Sequence, residues 1–132
     1  FKIALSNIKG DSKIHFSKTN ENPGFASIDN FFNHKNLSTE VVELDMLDNL
    51  FKIKNKNLFI KIDVEGYEKK VVEGALEILK NNRVLMYLET RDKITINSLK
   101  EIGFKEKYIT FRGKKIKFLK NKSSQDVLLQ NF

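Results

Sequence analysis

The sequence predicts an α/β fold: a mixed, mostly parallel sheet with flanking helices. Three observations carry that expectation. In the run "LFIKIDVEGYEKKVVEGALEILK" (58–80) the hydrophobic period changes midway. A near-continuous apolar segment over 58–64 gives way to Val71, Val72, Ala75, Leu76 and Leu79, which share one helical face. A second apolar run of strand length, "RVLMYLET" (83–90), is followed by "ITINSLKEIGF" (94–104), where Ile96, Leu99 and Ile102 again share a helical face. Strands alternating with helices at this spacing predict right-handed crossovers between parallel strands.

Each element has its own local signal. "FKIALS" (1–6) reads as a short strand, and "NIKGD" (7–11) carries turn chemistry. "SKIHFS" (12–17) alternates Ile14 and Phe16 with Lys13, His15 and Ser17, the pattern of a half-buried strand. Residues 18–38 are rich in Asn, Ser, Lys and Thr and hold the single proline, Pro23, so a long loop is expected, with one helical turn around "SIDNFFN". "TEVVELDML" (39–47) reads as a strand ending near Asp45, and "LDNLFKI" (47–53) as a short helix. The apolar continuity of 58–64 suits a parallel strand covered on both faces. A single helix is expected from Tyr67 to Lys80, and Gly103 is placed for a left-handed helix cap. Residues 105–111, 114–120 and 126–132 read as closing strands joined by turns at Arg112-Gly113 and Lys122-Ser123-Ser124.

Composition bounds the function. The 132 residues are 40% hydrophobic, eleven of them Phe, which suffices for one core. No apolar run approaches the ~20 residues of a membrane span, and "FKIALSNIKG" lacks the apolar stretch of a signal peptide, so a cytoplasmic location is expected. The absence of cysteine excludes disulfides, zinc–thiolate sites and thiol nucleophiles. The net charge is 24 − 17 = +7, but the lysines are scattered, which favours solvated side chains over a nucleic-acid surface. The densest basic stretch, "RGKKIKFLKNK" (112–122), fits an edge strand guarded by lysines. The alternative for that stretch is contact with nucleic acid.

The carboxylates are more pointed. Side-chain alternation puts Phe59, Lys61 and Asp63 on one side, with Asp63 at the carboxyl end of its strand. Glu89 holds the same place on the neighbouring strand. In open α/β sheets ligands bind outside the carboxyl ends, so Asp63 and Glu89 are expected to face one crevice. There they could take a proton, bind substrate hydroxyls or hold a divalent cation. The plainer readings are a capping role for Asp63, a turn role for Gly66 and a helix-dipole role for Glu68. His15 and His34 lack metal-ligand spacing, and no metal site is expected. Neither a nucleophile elbow nor a phosphate-cradling glycine loop occurs.

The run 58–80 also resembles the signature of the FkbM family of methyltransferases, a strand leading into "KIDVEG-x-E" and then a helix reading like "LEVLKGA". The matching residues are Lys61, Ile62, Asp63, Val64, Glu65, Gly66, Glu68, Val71, Val72, Gly74 and Ala75. "IALSNIKGDSKIHFS", "VVELDMLDNL", "VLMYLET" and "LKEIGF" resemble further family segments in the family's order, so that the resemblance covers residues 1 to about 110. It implies a class I, Rossmann-like methyltransferase fold with S-adenosylmethionine as cofactor. It also implies methylation of a hydroxyl on a sugar or secondary metabolite, hence a small-molecule or glycan acceptor. By the same resemblance Asp63 serves as base, substrate anchor or contact to the donor. Glu65 and Glu89 then contact acceptor hydroxyls, and Ala4 and Leu5 remain from the adenine side. One departure stands out: the family's glycine-rich first turn and the acid that ends its second strand have no counterpart here. The expectation is therefore the C-terminal part of one methyltransferase domain, without its N-terminal strands and their cofactor-binding half, that holds the donor weakly by itself. Two rival readings are a basic nucleic-acid-binding module and a metal-dependent hydrolase using Asp63 and Glu89.

Overall fold

The computed structural model describes residues 2–17, 26–28, 37–90, 92–107, 109–111, 114–116 and 126–132. Its first sheet is built from β1 (Ile3–Leu5), β2 (Gly10–Ser17), β3 (Ala26–Ser27) and β4 (Leu37–Asp45), in the order β1-β4-β2-β3. The alternation of Ile14 and Phe16 with polar neighbours lets β2 run antiparallel to β4 over its whole length, Gly10 opposite Leu44 and Ser17 opposite Leu37. On the other edge of β4, β1 pairs in parallel, Ile3 opposite Glu43 and Leu5 opposite Asp45. The Ser6 amide extends this ladder by donating to the Asp45 carbonyl at 2.9 Å.

A short helix, α1 (Leu47–Leu50), leads to the second sheet. There β5 (Asn57–Ile62) is followed by α2 (Glu68–Glu73) and α3 (Leu76–Asn81), and β6 (Arg83–Glu89) by α4 (Lys93–Glu101) and β7 (Lys105–Glu106). A small hairpin, β8 (Ile109–Phe111) with β9 (Lys114–Ile116), precedes β10 (Asp126–Gln130). The strand order is β5-β6-β10-β7. β5 and β6 are parallel, and β10 is antiparallel to both β6 and β7. Hence β5, β6 and β7 run the same way, and β10 is inserted against them. Apolar side chains of α2, α3 and α4, chiefly Val71, Val72, Leu79, Ile96 and Leu99, pack on Ile62, Val84, Met86, Leu88 and Leu129 of the sheet.

Several expectations need correcting. The mixed character is as expected, but the sheet is neither single nor mostly parallel: the described residues form two mixed four-stranded sheets and a small hairpin, and most of their strand pairings are antiparallel. Periodicity is a local signal, whereas the pairing of β10 with β6 joins segments far apart in sequence. Nor is β5 covered on both faces. The helices gather on one face, and Phe59 on the other is 68% exposed. Gly10 and Asp11, expected in a turn, already belong to β2.

The expected helix 67–80 breaks at Gly74-Ala75. At the break the chain leaves no room for a side chain. A Cβ on Gly74 would lie 1.8 Å from the Ser6 carbonyl oxygen, so the helical chain and the end of β1 touch backbone to backbone. Asp48 of α1 restores order on the far side by accepting from the Glu77 and Ile78 amides, both at 2.9 Å, as a cap for α3. Gly103 meets expectation, with φ 100° and the Phe104 amide bonded back to the Leu99 carbonyl at 3.0 Å. The helical turn expected at "SIDNFFN" falls largely, and the turns at 112–113 and 122–124 wholly, outside the described residues.

Candidate functional site

β5 stops at Ile62, opposite Leu88, so its next residue, Asp63, comes level with Glu89 at the carboxyl ends of two parallel strands. The chain then reverses over Val64–Tyr67. Glu65 and Gly66 both take positive φ, 48° and 93°, and the Tyr67 amide closes on the Val64 carbonyl at 3.3 Å. Two positive φ values are what a type I′ turn requires. Gly66 supplies one at no steric cost.

This turn faces the first sheet across a cavity of about 340 Å³. Ala4 and Leu5 of β1 and Ile14 of β2 line one side, with Ser27 of β3 beside them. Asp63, Val64, Glu65 and Tyr67 line the other. Four of the five residues singled out from sequence, Ala4, Leu5, Asp63 and Glu65, thus share one cavity. Glu89 is not on its wall. It lies alongside Asp63, with Asp126 of β10 directly opposite it in the antiparallel register.

Charges are organised around these acids. Lys61 donates to the Asp63 carboxylate at 2.7 Å, and that hydrogen bond raises the lysine's pKa. Burial pushes the pKa of Glu89 up, and the nearby Asp63, Asp126 and Glu65 push it further in the same direction. Tyr87, between Lys61 and Glu89 on the sheet face, is likewise raised, first by burial and then by Asp126. A carboxyl group with a raised pKa, level with a lysine-fixed carboxylate, is suited to accept a proton from a bound hydroxyl.

Three residues matter here that sequence reasoning gave minor roles. Tyr67 is buried, and its hydroxyl hydrogen-bonds the buried Ser6 Oγ at 3.0 Å, tying the cavity's two walls together. Asn7 Nδ2 reinforces the seam by donating to Glu73 at 2.7 Å. Glu68 opens α2, as its position in the first turn suggested, yet it is only 5% exposed. Its Oε1 accepts from the Gly66 amide at 2.8 Å and its Oε2 from Thr90 Oγ1 at 3.4 Å. Thr90 Oγ1 in turn accepts from the Asp92 amide at 3.0 Å, and Asp92 caps α4 through the Ile94 and Thr95 amides. One chain of hydrogen bonds thereby links the acidic turn, the end of β6 and the start of α4. The available sequence signal was the spacing of Glu68 two residues after Gly66.

Among the described residues no group of three or more His, Asp or Glu is arranged to hold a metal ion. His15 is occupied with the Thr39 hydroxyl at 3.2 Å, and His34 lies outside the described residues. Most of the basic stretch 112–122 lies outside them as well. No described helix is long and apolar enough to cross a membrane.

The family model for the methyltransferase FkbM domain matches residues 3–116, a span that contains the cavity, the acidic turn and both parallel strands of the second sheet. No curated protein and no solved structure matches the chain.

Proposed function

The chain belongs to the FkbM methyltransferase family, and on that footing we propose that it is an S-adenosylmethionine-dependent O-methyltransferase acting on a hydroxyl of a small-molecule or glycan acceptor. The observation that carries the proposal is the single cavity shared by Ala4, Leu5, Asp63 and Glu65. Its volume of about 340 Å³ falls within the range of ligand pockets, roughly 300–1,000 Å³. A class I, Rossmann-like assignment belongs to the same proposal, supported by the common direction of β5, β6 and β7 and by the helices between them.

The residues present fit the adenosyl and sulfonium part of the donor. Ala4, Leu5, Ile14 and Val64 offer apolar walls for a flat ring and exclude water from it. Asp63 and Glu65 offer negative charge at the rim. When bound, S-adenosylmethionine supplies an electrophilic methyl group. Asp63, fixed by Lys61, anchors and orients the acceptor hydroxyl, and orientation of this kind supplies much of the rate in a transfer between two bound partners. Glu89, which lies alongside Asp63 outside the cavity wall and whose pKa is raised first by burial, takes the proton of a hydroxyl that Asp63 holds at the rim. A cytoplasmic location and a diffusible acceptor complete the reading.

Calorimetric titration with S-adenosylmethionine is expected to give saturable binding that Asp63→Asn weakens. A sugar or polyol acceptor is expected to be methylated, with turnover reduced about 100-fold or more in Glu89→Gln. Absence of any heat of binding would sink the proposal.

A further inference from the structure

Glu65 has an unusual backbone for its residue type. Its φ of 48° lies in the left-handed region that glycine and asparagine enter readily and that other residues with a β-carbon rarely occupy. The only other described non-glycine residue with positive φ is Asn55, a type that tolerates it. A Gly or Asn at position 65 would make the same turn with less strain. What those residues would not provide is a carboxylate, and Glu65, an exposed residue, lines the cavity.

That carboxylate has a distinct electrostatic setting. Asp63, the other acid of the cavity, is held by Lys61 at 2.7 Å. The described residues lining the cavity include no Lys, Arg or His, although the chain carries a net charge of +7. Burial is the first cause of the raised Glu89 pKa, and the further upward push from Asp63, Asp126 and Glu65 registers the same negative field from the neighbouring strand. An apolar cavity in a negative field selects a ligand with an apolar body and a positive centre.

We propose that Glu65 is a specificity residue that recognises a positively charged group of the bound ligand, and that its left-handed backbone is retained for that contact. This role rests on the methyl-donor reading, which makes the cation the donor's sulfonium. During transfer the S–CH3 bond breaks, the methyl carbon bonds to the acceptor oxygen, and the hydroxyl proton goes to a carboxylate of the site. The sulfur recovers its lone pair as a neutral thioether. Glu65 therefore holds the charged donor and loosens its grip on the spent product.

The full chain should be titrated with S-adenosylmethionine and, separately, with S-adenosylhomocysteine. The wild type is expected to prefer the charged ligand about 5–10-fold, less so at high salt. Glu65→Gln, which keeps the length and the strain but removes the charge, is expected to erase the preference. Glu65→Asn is expected to erase it while raising the melting temperature by about 3–6 °C, because the strain is relieved. Equal affinity of the wild type for both ligands, or a preference that survives Glu65→Gln, overturns the recognition role and leaves the methyl-donor reading standing. An unchanged melting temperature in Glu65→Asn overturns the strain argument. If neither ligand binds, the methyl-donor reading falls, and this role with it.

Discussion

Glu68 shows how one buried carboxylate can serve a site without entering it. Its two oxygens take hydrogen bonds from the Gly66 amide and the Thr90 hydroxyl, so that the turn bearing Asp63 and Glu65 is tied to the strand end bearing Glu89. Glu68→Ala leaves both donors without their partner and is expected to cost about 2–3 kcal/mol in urea unfolding. Glu68→Gln keeps an acceptor for Gly66, and Thr90 can accept the new amide proton, so its cost is expected to stay below about 1 kcal/mol. An alanine variant as stable as wild type would refute this role. Of the residue-scale picture, the place of Asp63 and Glu89 at the carboxyl ends of neighbouring parallel strands was legible in the sequence, because strand direction fixes which end a residue occupies, whereas the shared crevice expected for the pair is not seen, since Glu89 stays off the cavity wall. The bonds of Glu68 and Tyr67 were not, because their partners, Thr90 and Ser6, are set by register and sheet docking rather than by neighbouring residues.

Among the elements, the interrupted helix between β5 and β6 is the informative one. The apolar face running from Val71 to Leu79 predicts one helix, and Val71, Val72, Ala75 and Leu79 do pack into the core, but after the break Ile78 is buried and Leu76 only half-buried. The pattern carries no trace of the break, because a glycine in an amphipathic run shows only a missing side chain, not what occupies its space. In an ordinary exposed helix Gly→Ala is favourable by about 1 kcal/mol. Here the added methyl would lie 1.8 Å from the Ser6 carbonyl oxygen, so Gly74→Ala is expected to reverse that sign and destabilise by about 2 kcal/mol or more, read from thermal unfolding. A neutral or stabilising result would show that the end of β1 can retreat from the helix without penalty. Strand existence was largely legible in the same way, from alternation and apolar runs. The parallel pairing of β5 with β6 was legible too, from the helical crossover between them, but the place of β10 was not, because residue order does not reveal that it enters between β6 and β7.

For the molecule as a whole, the carboxyl groups shape stability against pH in two opposite ways. The Asp92 carboxyl is held below its ordinary pKa, chiefly by the Thr95 side chain and then by the Ile94 and Thr95 amides. Its contribution is present above its unfolded pKa and is lost as pH falls through the folded value, so acid below about pH 4 removes it. Asp45, lowered chiefly by the Asn49 side chain, acts in the same sense. Glu89 is raised, so its contribution is greatest below its unfolded pKa and declines as pH rises through its folded value. Chemical unfolding across pH is expected to show a maximum between these limbs. Asp92→Asn should lower the maximum by about 1 kcal/mol and shallow the acid limb, and Glu89→Gln should lift stability on the neutral side. A Glu89→Gln variant that loses stability at neutral pH would contradict the direction assigned to that group.

The insertion of β10 also bears on how the chain is made. Synthesis proceeds from the amino terminus, so β5, β6 and the helices between them leave the ribosome well before residues 126–130. Until those residues emerge, the hydrogen-bonding edge of β6 that receives β10 has no strand against it, and β7 cannot join the sheet. The nascent chain must wait in an open-edged state of the kind that chaperones shield and that other chains can pair with. Closure of the second sheet thereby depends on a loop-spanning pairing, the kind of non-local contact that slows folding.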